Sequence, residues 1–205
     1  MAGLRIGYGF DSHAFKPGVP LILGGLPVPH TEGLAGHSDG DVLLHAITDA
    51  LLGAVSAGDI GTFFPPTDDR WKGADSALFV RTALEEIATA GYRIVNLDSV
   101  LILHRPKIVP IAGEIRASVA DILGIPSRNV GIKAKTPEGL NQDGVAVAHV
   151  TVLLEEIGEP EPLKTMTAEI EDPAELEVVV RSLVDEPHDM RRLGRKPPFD
   201  TDDLT

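Results

Sequence analysis

The chain changes character at Gly158, and the change sets how much of it can build a core. Residues 1–157 are rich in Gly, Ala, Val, Leu and Ile, whereas residues 158–205 carry GEPEP, EDP, DEP, KPP and DTDD in close succession. Proline and acid at that density bury too little apolar surface to offset the entropy of ordering, so the second stretch reads as an acidic C-terminal extension, partly disordered. It holds thirteen acidic and six basic residues, about half of the chain's net charge of −13 in under a quarter of its length. One piece has helix signals: Asp172 as N-cap, Pro173 at the first helical position and Glu175 as capping acid predict a short helix near 173–184. The fold itself must come from residues 1–157, the length of one ordinary domain.

Within that stretch, LRIGYGF (4–10), RIVNLDSVLILH (93–104), NVGIKAK (129–135) and VAVAHVTVLLE (145–155) read as strands, the last two with β-branched enrichment and partial alternation. Helices are expected between them. Residues 39–55 place Leu43, Ile47, Ala50, Leu51 and Ala54 at helical spacing, residues 75–90 place Leu78, Leu84 and Ile87 similarly and stop at Gly91, and 110–123 supply a third. This order predicts the α/β class, an α+β sandwich in which a mixed four-stranded sheet carries helices on one face. Neither an internal repeat nor the glycine fingerprint of a dinucleotide fold is present.

Composition narrows the chemistry. The absence of cysteine removes disulfides, thiolate catalysis and sulfur-ligated metal, so any metal site is built from His, Asp and Glu. A net charge of −13 argues against nucleic acid as a partner, and an aromatic content of 4% argues against base-stacking platforms. No run approaches the roughly 20 apolar residues of a spanning helix, so a membrane is not expected as a partner. MAGLRIGYGF lacks the features of a secretory signal, and a cytoplasmic location is expected.

Three groups of residues carry chemistry. In Asp11-Ser12-His13, residues i and i+2 of an extended segment point the same way, so one carboxylate and one imidazole converge. In HSDGDVLLHAITDALLG, Asp41, His45 and Asp49 recur at i+4, which offers His45 as a third ligand and Asp41 or Asp49 to orient its ring. Asp11, His13 and His45 together suit zinc with one coordination position open for substrate. Spacing alone leaves a second reading, in which Asp11 caps a turn, His13 is exposed and His45 is a helix histidine. The run Gly36-His37-Ser38-Asp39-Gly40-Asp41 opens the same helix; it suits phosphate oxygens or serves as a plain capping sequence with Ser38 or Asp39 as N-cap. Gly58-Asp59-Ile60-Gly61, Pro65 to Asp68, Arg105-Pro106-Lys107 and Lys133 to Glu138 each end a predicted element, as functional loops and ordinary turns both do.

Taken together, GYGFDSHAF, AGHSDGDVLLHAITDALLGA, GDIGTFFPPTD, KGADS, RPKI and KTPEGL, in this order, resemble the 2-C-methyl-D-erythritol 2,4-cyclodiphosphate synthase family over about residues 3–156. SDGDVLLHA is close to that family's signature. The resemblance implies that the 2-phosphate of 4-diphosphocytidyl-2-C-methyl-D-erythritol 2-phosphate attacks its own β-phosphorus, releasing CMP and forming a cyclic diphosphate in non-mevalonate isoprenoid synthesis. It implies Zn2+ on Asp11, His13 and His45, and a Mg2+ or Mn2+ ion held with help from Glu138 between the α- and β-phosphates. His37 and Thr136 match positions that stabilise the transition state, with Ser38 beside His37. Asp59, Ile60, Gly61 and Asp68 match the substrate side of the site, Asp59 at the ribose. Leu103, Lys107, Ala134, Lys135 and Pro137 match segments that enclose the cytidine and diphosphate. The resemblance also implies a homotrimer around a β core, with active sites between neighbouring subunits.

Two departures stand out. Asn141-Gln142-Asp143-Gly144 replaces a longer family segment that carries an aromatic residue and a glycine-flanked arginine, which puts a central isoprenoid-diphosphate cavity in doubt. Lys135-Thr136 replaces a run of threonines and adds a cation. The same ligand types would also serve a metal-dependent phosphohydrolase, or a zinc-containing binding module without turnover.

Overall fold

The computed structural model of the chain describes residues 3–139 and 144–158. The expected helix near 173–184 and residues Asn141 to Asp143 lie outside the described residues. In chain order the elements are β1 (Leu4–Pro17), β2 (Leu21–Leu23), β3 (Leu26–Val28), β4 (Glu32–Leu34), α1 (Val42–Ala54), the single turn α2 (Ile60–Phe63), α3 (Ser76–Thr89), β5 (Tyr92–Ile102), α4 (Ala112–Leu123), β6 (Val130–Lys135) and β7 (Val145–Glu156). No helix among the described residues is long and apolar enough to cross a membrane.

The sheet is mixed, as expected, but has five strands in the order β4-β1-β7-β5-β6 instead of four. β5 and β6 run parallel, joined through α4, and the other neighbours are antiparallel. The added strand, β4, pairs only with the far end of β1, from Phe15↔Leu34 to Pro17↔Glu32. Three residues, Glu-Gly-Leu, carry no alternation from which a strand can be read. A separate hairpin, β2–β3, was also not anticipated. Its signal is the pair Gly24-Gly25 between LIL and LPV, both at positive φ (63° and 75°), the backbone that a two-residue turn between twisted strands demands.

The helices pack on one face of the sheet. α1 crosses β1 and β7, α3 packs beside α1 and against β5, and α4 lies on β6. α1 is buried nearly all round, with Val42 to Thr48, Ala50 to Leu52 and Ala54 all inside, so its polar residues do not form a solvent stripe. α3 turns Ala77, Val80, Ala83 and Ile87 inward at i+3/i+4 spacing, together with Phe79. Leu78, expected on that face, is 41% exposed. Small residues on the inner side let α3 approach α1 closely, and apolarity alone did not distinguish Leu78 from its neighbours. On the opposite face of the sheet, Leu4, Ile6, Tyr8 and Phe10 of β1 are 65%, 71%, 59% and 49% exposed.

Candidate active site

Two glycines place the site. On the inward face of β1, a Cβ added at Gly7 would lie 1.8 Å from the Ala50 carbonyl oxygen, and one at Gly9 would lie 1.9 Å from that of Ala46. Only the missing side chains let α1 rest directly on the strand. β1 continues in register with β7 well past Phe10, pairing Asp11↔Ala148 and His13↔Ala146, so the carboxylate and imidazole lie within the strand instead of following it. Gly7, Gly9, Asp11 and His13 share one face by the two-residue period. His45 comes down onto the same spot from α1.

The ligand atoms converge. His13 Nε2 lies 2.7 Å from Asp11 Oδ2, His45 Nδ1 lies 3.0 Å from that oxygen, and the two ring nitrogens are 3.1 Å apart. Asp11 Oδ1 accepts the Ser12 N–H at 2.8 Å, which turns Oδ2 to the centre. His13 Nδ1 donates to the Ala35 carbonyl, which turns Nε2 toward the centre. Burial pushes the Asp11 carboxyl up, but the adjoining His13 and His45 rings outweigh it and hold the group well below the usual carboxylate range. For His13, burial pushes the ring down, and the bond and charge of Asp11 with the Ala35 carbonyl raise it above the ordinary histidine value. These three residues form a group able to hold a divalent metal ion, their donor atoms all within 4.8 Å of one another.

The expected orienting acids do not touch the His45 ring. Asp41, fully buried, is the N-cap of α1 in place of Ser38 or Asp39, accepting the N–H groups of Leu43 and Leu44 at 3.0 and 3.1 Å and that of Gly25 at 2.6 Å. Burial pushes its carboxyl up to about 6, against the lowering effect of the Gly25, Gly24 and Leu44 amides, with Asp39 adding to the rise. Asp49 accepts the Ile60 N–H at 2.8 Å and is raised by burial. The partners of His45 Nε2 are instead Ser38 Oγ and Ser76 Oγ, each at 2.9 Å. Ser76 begins α3, 31 positions along the chain, and periodicity within α1 carries no sign of it.

A cavity of about 280 Å³ opens over this group. His37, Ser38, Ile60 and Gly61 line it, and Phe64, Trp71 and Phe79, which were not among the expected site residues, add an aromatic wall. Phe64 and Phe79 stack with centroids 4.3 Å apart, and Trp71 meets Phe64 edge-on at 5.0 Å. Among the described residues, Trp71 Nε1 is a buried donor without a hydrogen-bond acceptor. His37 Nε2 donates to the Asp68 carbonyl at 3.2 Å, which ties the ring to the segment after Pro65. The Asp68 carboxylate pairs with Arg70, which keeps its pKa low. Asp59 caps α2, and the hydroxyl and amide of Thr62, at 2.8 and 2.9 Å, hold its pKa down.

A second cavity, of about 400 Å³, lies where the parallel strands β5 and β6 end side by side at Ile102↔Lys135. Leu103, Lys107, Ala134, Lys135, Thr136 and Glu138 line it. Thr136 Oγ1 donates to Glu138, whose φ of 48° turns the chain sharply. Pro137 is buried and does not line the cavity. The two cavities share no lining residue, so one subunit brings His37 to the metal ligands but leaves Thr136 and Glu138 in a different place.

Comparison with known proteins covers the same stretch of the chain. The model of the YgbB family matches residues 4–155. A 2-C-methyl-D-erythritol 2,4-cyclodiphosphate synthase of Koribacter versatilis (strain Ellin345) is 65% identical over 152 residues, 74% of this chain and 98% of that protein. A solved structure of a synthase of the same name superposes with a TM-score of 0.70 at 45% identity, covering 73% of this chain and 99% of that one. Another, described as the form with CDP bound, gives a TM-score of 0.70 at 43% identity over the same shares.

Proposed function

The chain belongs to the YgbB family, and from that premise we propose that it catalyses the reaction after which its relatives are named. In that reaction an oxygen of the substrate's 2-phosphate bonds to the β-phosphorus of its own cytidine diphosphate group. The bond from the β-phosphorus to the α–β bridging oxygen breaks, and CMP leaves as 2-C-methyl-D-erythritol 2,4-cyclodiphosphate forms. The convergence of Asp11, His13 and His45 under the His37–Ser38 pocket is the observation that carries the reading.

The donor set fits zinc. Tetrahedral ligands at about 2.0–2.1 Å from an ion stand roughly 3.3 Å apart, and the three donor atoms here, 2.7 to 3.1 Å apart, need only a small outward movement. When bound, zinc supplies Lewis acidity at a β-phosphate oxygen. The protein's own contribution is positioning. His37, fixed by the Asp68 carbonyl, offers its second ring nitrogen to the phosphates, and Ser38 offers a hydroxyl from the same loop. Lys107 and Lys135 offset the charge of the diphosphate, the Thr136 hydroxyl can turn to it from Glu138, and Glu138 would help hold a magnesium or manganese ion brought with the substrate. Leu103 and Ala134 shape the cytidine end, with Pro137 buried next to Thr136, and Asp59 with Ile60 and Gly61 receives the ribose.

The separation of the two cavities supports a homotrimer, in which the metal group of one subunit meets the second cavity of its neighbour. The exposed row Leu4, Ile6, Tyr8 and Phe10 is the apolar face such an assembly would bury. On this reading residues 1–157 form the catalytic domain of a cytoplasmic enzyme and 158–205 an appendage. Incubation of the zinc-loaded protein with the diphosphocytidyl substrate and magnesium, followed by phosphorus NMR, is expected to yield the cyclic diphosphate and CMP together. In water labelled with heavy oxygen the product should carry no label; an uncyclised, labelled phosphate would assign the site to hydrolysis instead.

A further inference from the structure

The hydrogen bonds behind His45 have a direction, and it follows from counting protons. Ser76 Oγ lies 2.9 Å from His45 Nε2 and 2.5 Å from Asp39 Oδ1. An ionised carboxylate can only accept, so the hydroxyl proton of Ser76 goes to Asp39 and an oxygen lone pair is left facing the imidazole. The ring must then carry its proton on Nε2, which leaves Nδ1 bare and pointing at Asp11 Oδ2 and His13 Nε2. Asp39 is itself held on both oxygens, by the Ser76 N–H at 3.1 Å on Oδ2 and by the Asp41 N–H at 3.1 Å on Oδ1. Ser76 is fully buried and lines neither cavity, whereas Ser38 lines the metal pocket. The two hydroxyls within reach of Nε2 thus stand in different surroundings.

We propose that Asp39 and Ser76 are positioning residues that lock the His45 ring in the Nε2–H form with Nδ1 toward the metal. This rests on the metal-centre reading above and divides labour between the serines: Ser76 serves the ligand, and Ser38 keeps its hydroxyl for the substrate. Partners of this kind raise the basicity of a ligating imidazole and restrict its rotation. They lie on the loop before α1 and on the first residue of α3, so the geometry of the centre depends on three elements besides β1.

The test uses the full chain and zinc alone. Zinc affinity of S76A, measured by competition with a chromophoric chelator, is expected to fall roughly 10–100-fold. The visible absorption bands of the cobalt-substituted protein should shift, a change that loss of general stability would not produce. D39N is the second variant: an asparagine can donate to Ser76, reverse the chain of donors and admit the other tautomer, so an equal or larger loss is expected. S38A should keep zinc affinity within about threefold while weakening substrate binding. Parent-like affinity and cobalt bands in S76A and D39N would overturn the assignment, as would a loss confined to S38A. Should S76A fail to fold, D39N decides. A parent protein that takes up no zinc would overturn the metal-centre reading itself, an outcome distinct from a zinc-loaded parent with unaffected variants.

Discussion

At the scale of single residues, Asp11 and His13 hold each other in their charged forms when no metal is bound, against the burial that disfavours both charges. The raised His13 contributes stability that is complete below its unfolded value and is lost as pH rises through its folded one. The depressed Asp11 contributes stability that is present above the ordinary carboxylate value and is lost as pH falls through its folded one. The metal-free protein therefore gains from the pair over a window from about pH 4 up to the raised His13 value. A metal ligand must be a neutral ring, so protons compete with zinc. Zinc affinity should fall as pH is lowered through the raised His13 value, with a proton released on binding below it. Chelator competition at a series of pH values from 8.5 to 5.5 reads this directly, and a flat profile would contradict the coupling.

At the scale of elements, the site depends on how closely α1 lies on β1, and Gly9 is the point of contact nearest the ligands. Gly9→Ala would force helix and strand apart, at a cost of about 1–3 kcal/mol or more from overpacking. Because Asp11 and His13 ride on the strand and His45 on the helix, the same shift separates the donor atoms. Urea unfolding should show the destabilisation, and elemental analysis should show zinc below one equivalent. A variant that loses stability but keeps full zinc would place the burden of alignment elsewhere. The elements themselves were legible to different degrees. α1, α3 and α4 carry caps and periodicity over twelve to fourteen residues, whereas β2, β3 and β4 have three residues each, too few for a pattern to show.

At the scale of the whole molecule, the sheet face exposed among the described residues and the two separate cavities belong to one question, that of assembly. Ile6, 71% exposed on that face, makes no contribution to the metal group. If the proposed trimer buries this face, Ile6→Glu is expected to give a monomer by light scattering, to keep zinc at one equivalent and to lose turnover by at least about a hundredfold, since an interface core tolerates no unpaired charge. Full turnover by a monomeric variant would mean that each subunit holds a complete site.

Some of this organisation is written in short range. The position of α1, the pairing of Asp11 with His13 two residues on, and the break at Gly158 are all local patterns, because helix period, strand period and composition act between near neighbours in the chain. The Gly24-Gly25 turn was equally local and simply unread. Other features depend on elements far apart in sequence meeting in space. That Ser76 and not Asp41 or Asp49 backs His45, that Asp41 is spent on capping α1 and on Gly25, and that Thr136 lies away from His37 all follow from packing. A buried carboxylate or imidazole takes whichever partner the neighbouring element delivers within about 3 Å, and a sequence period carries no information about that neighbour.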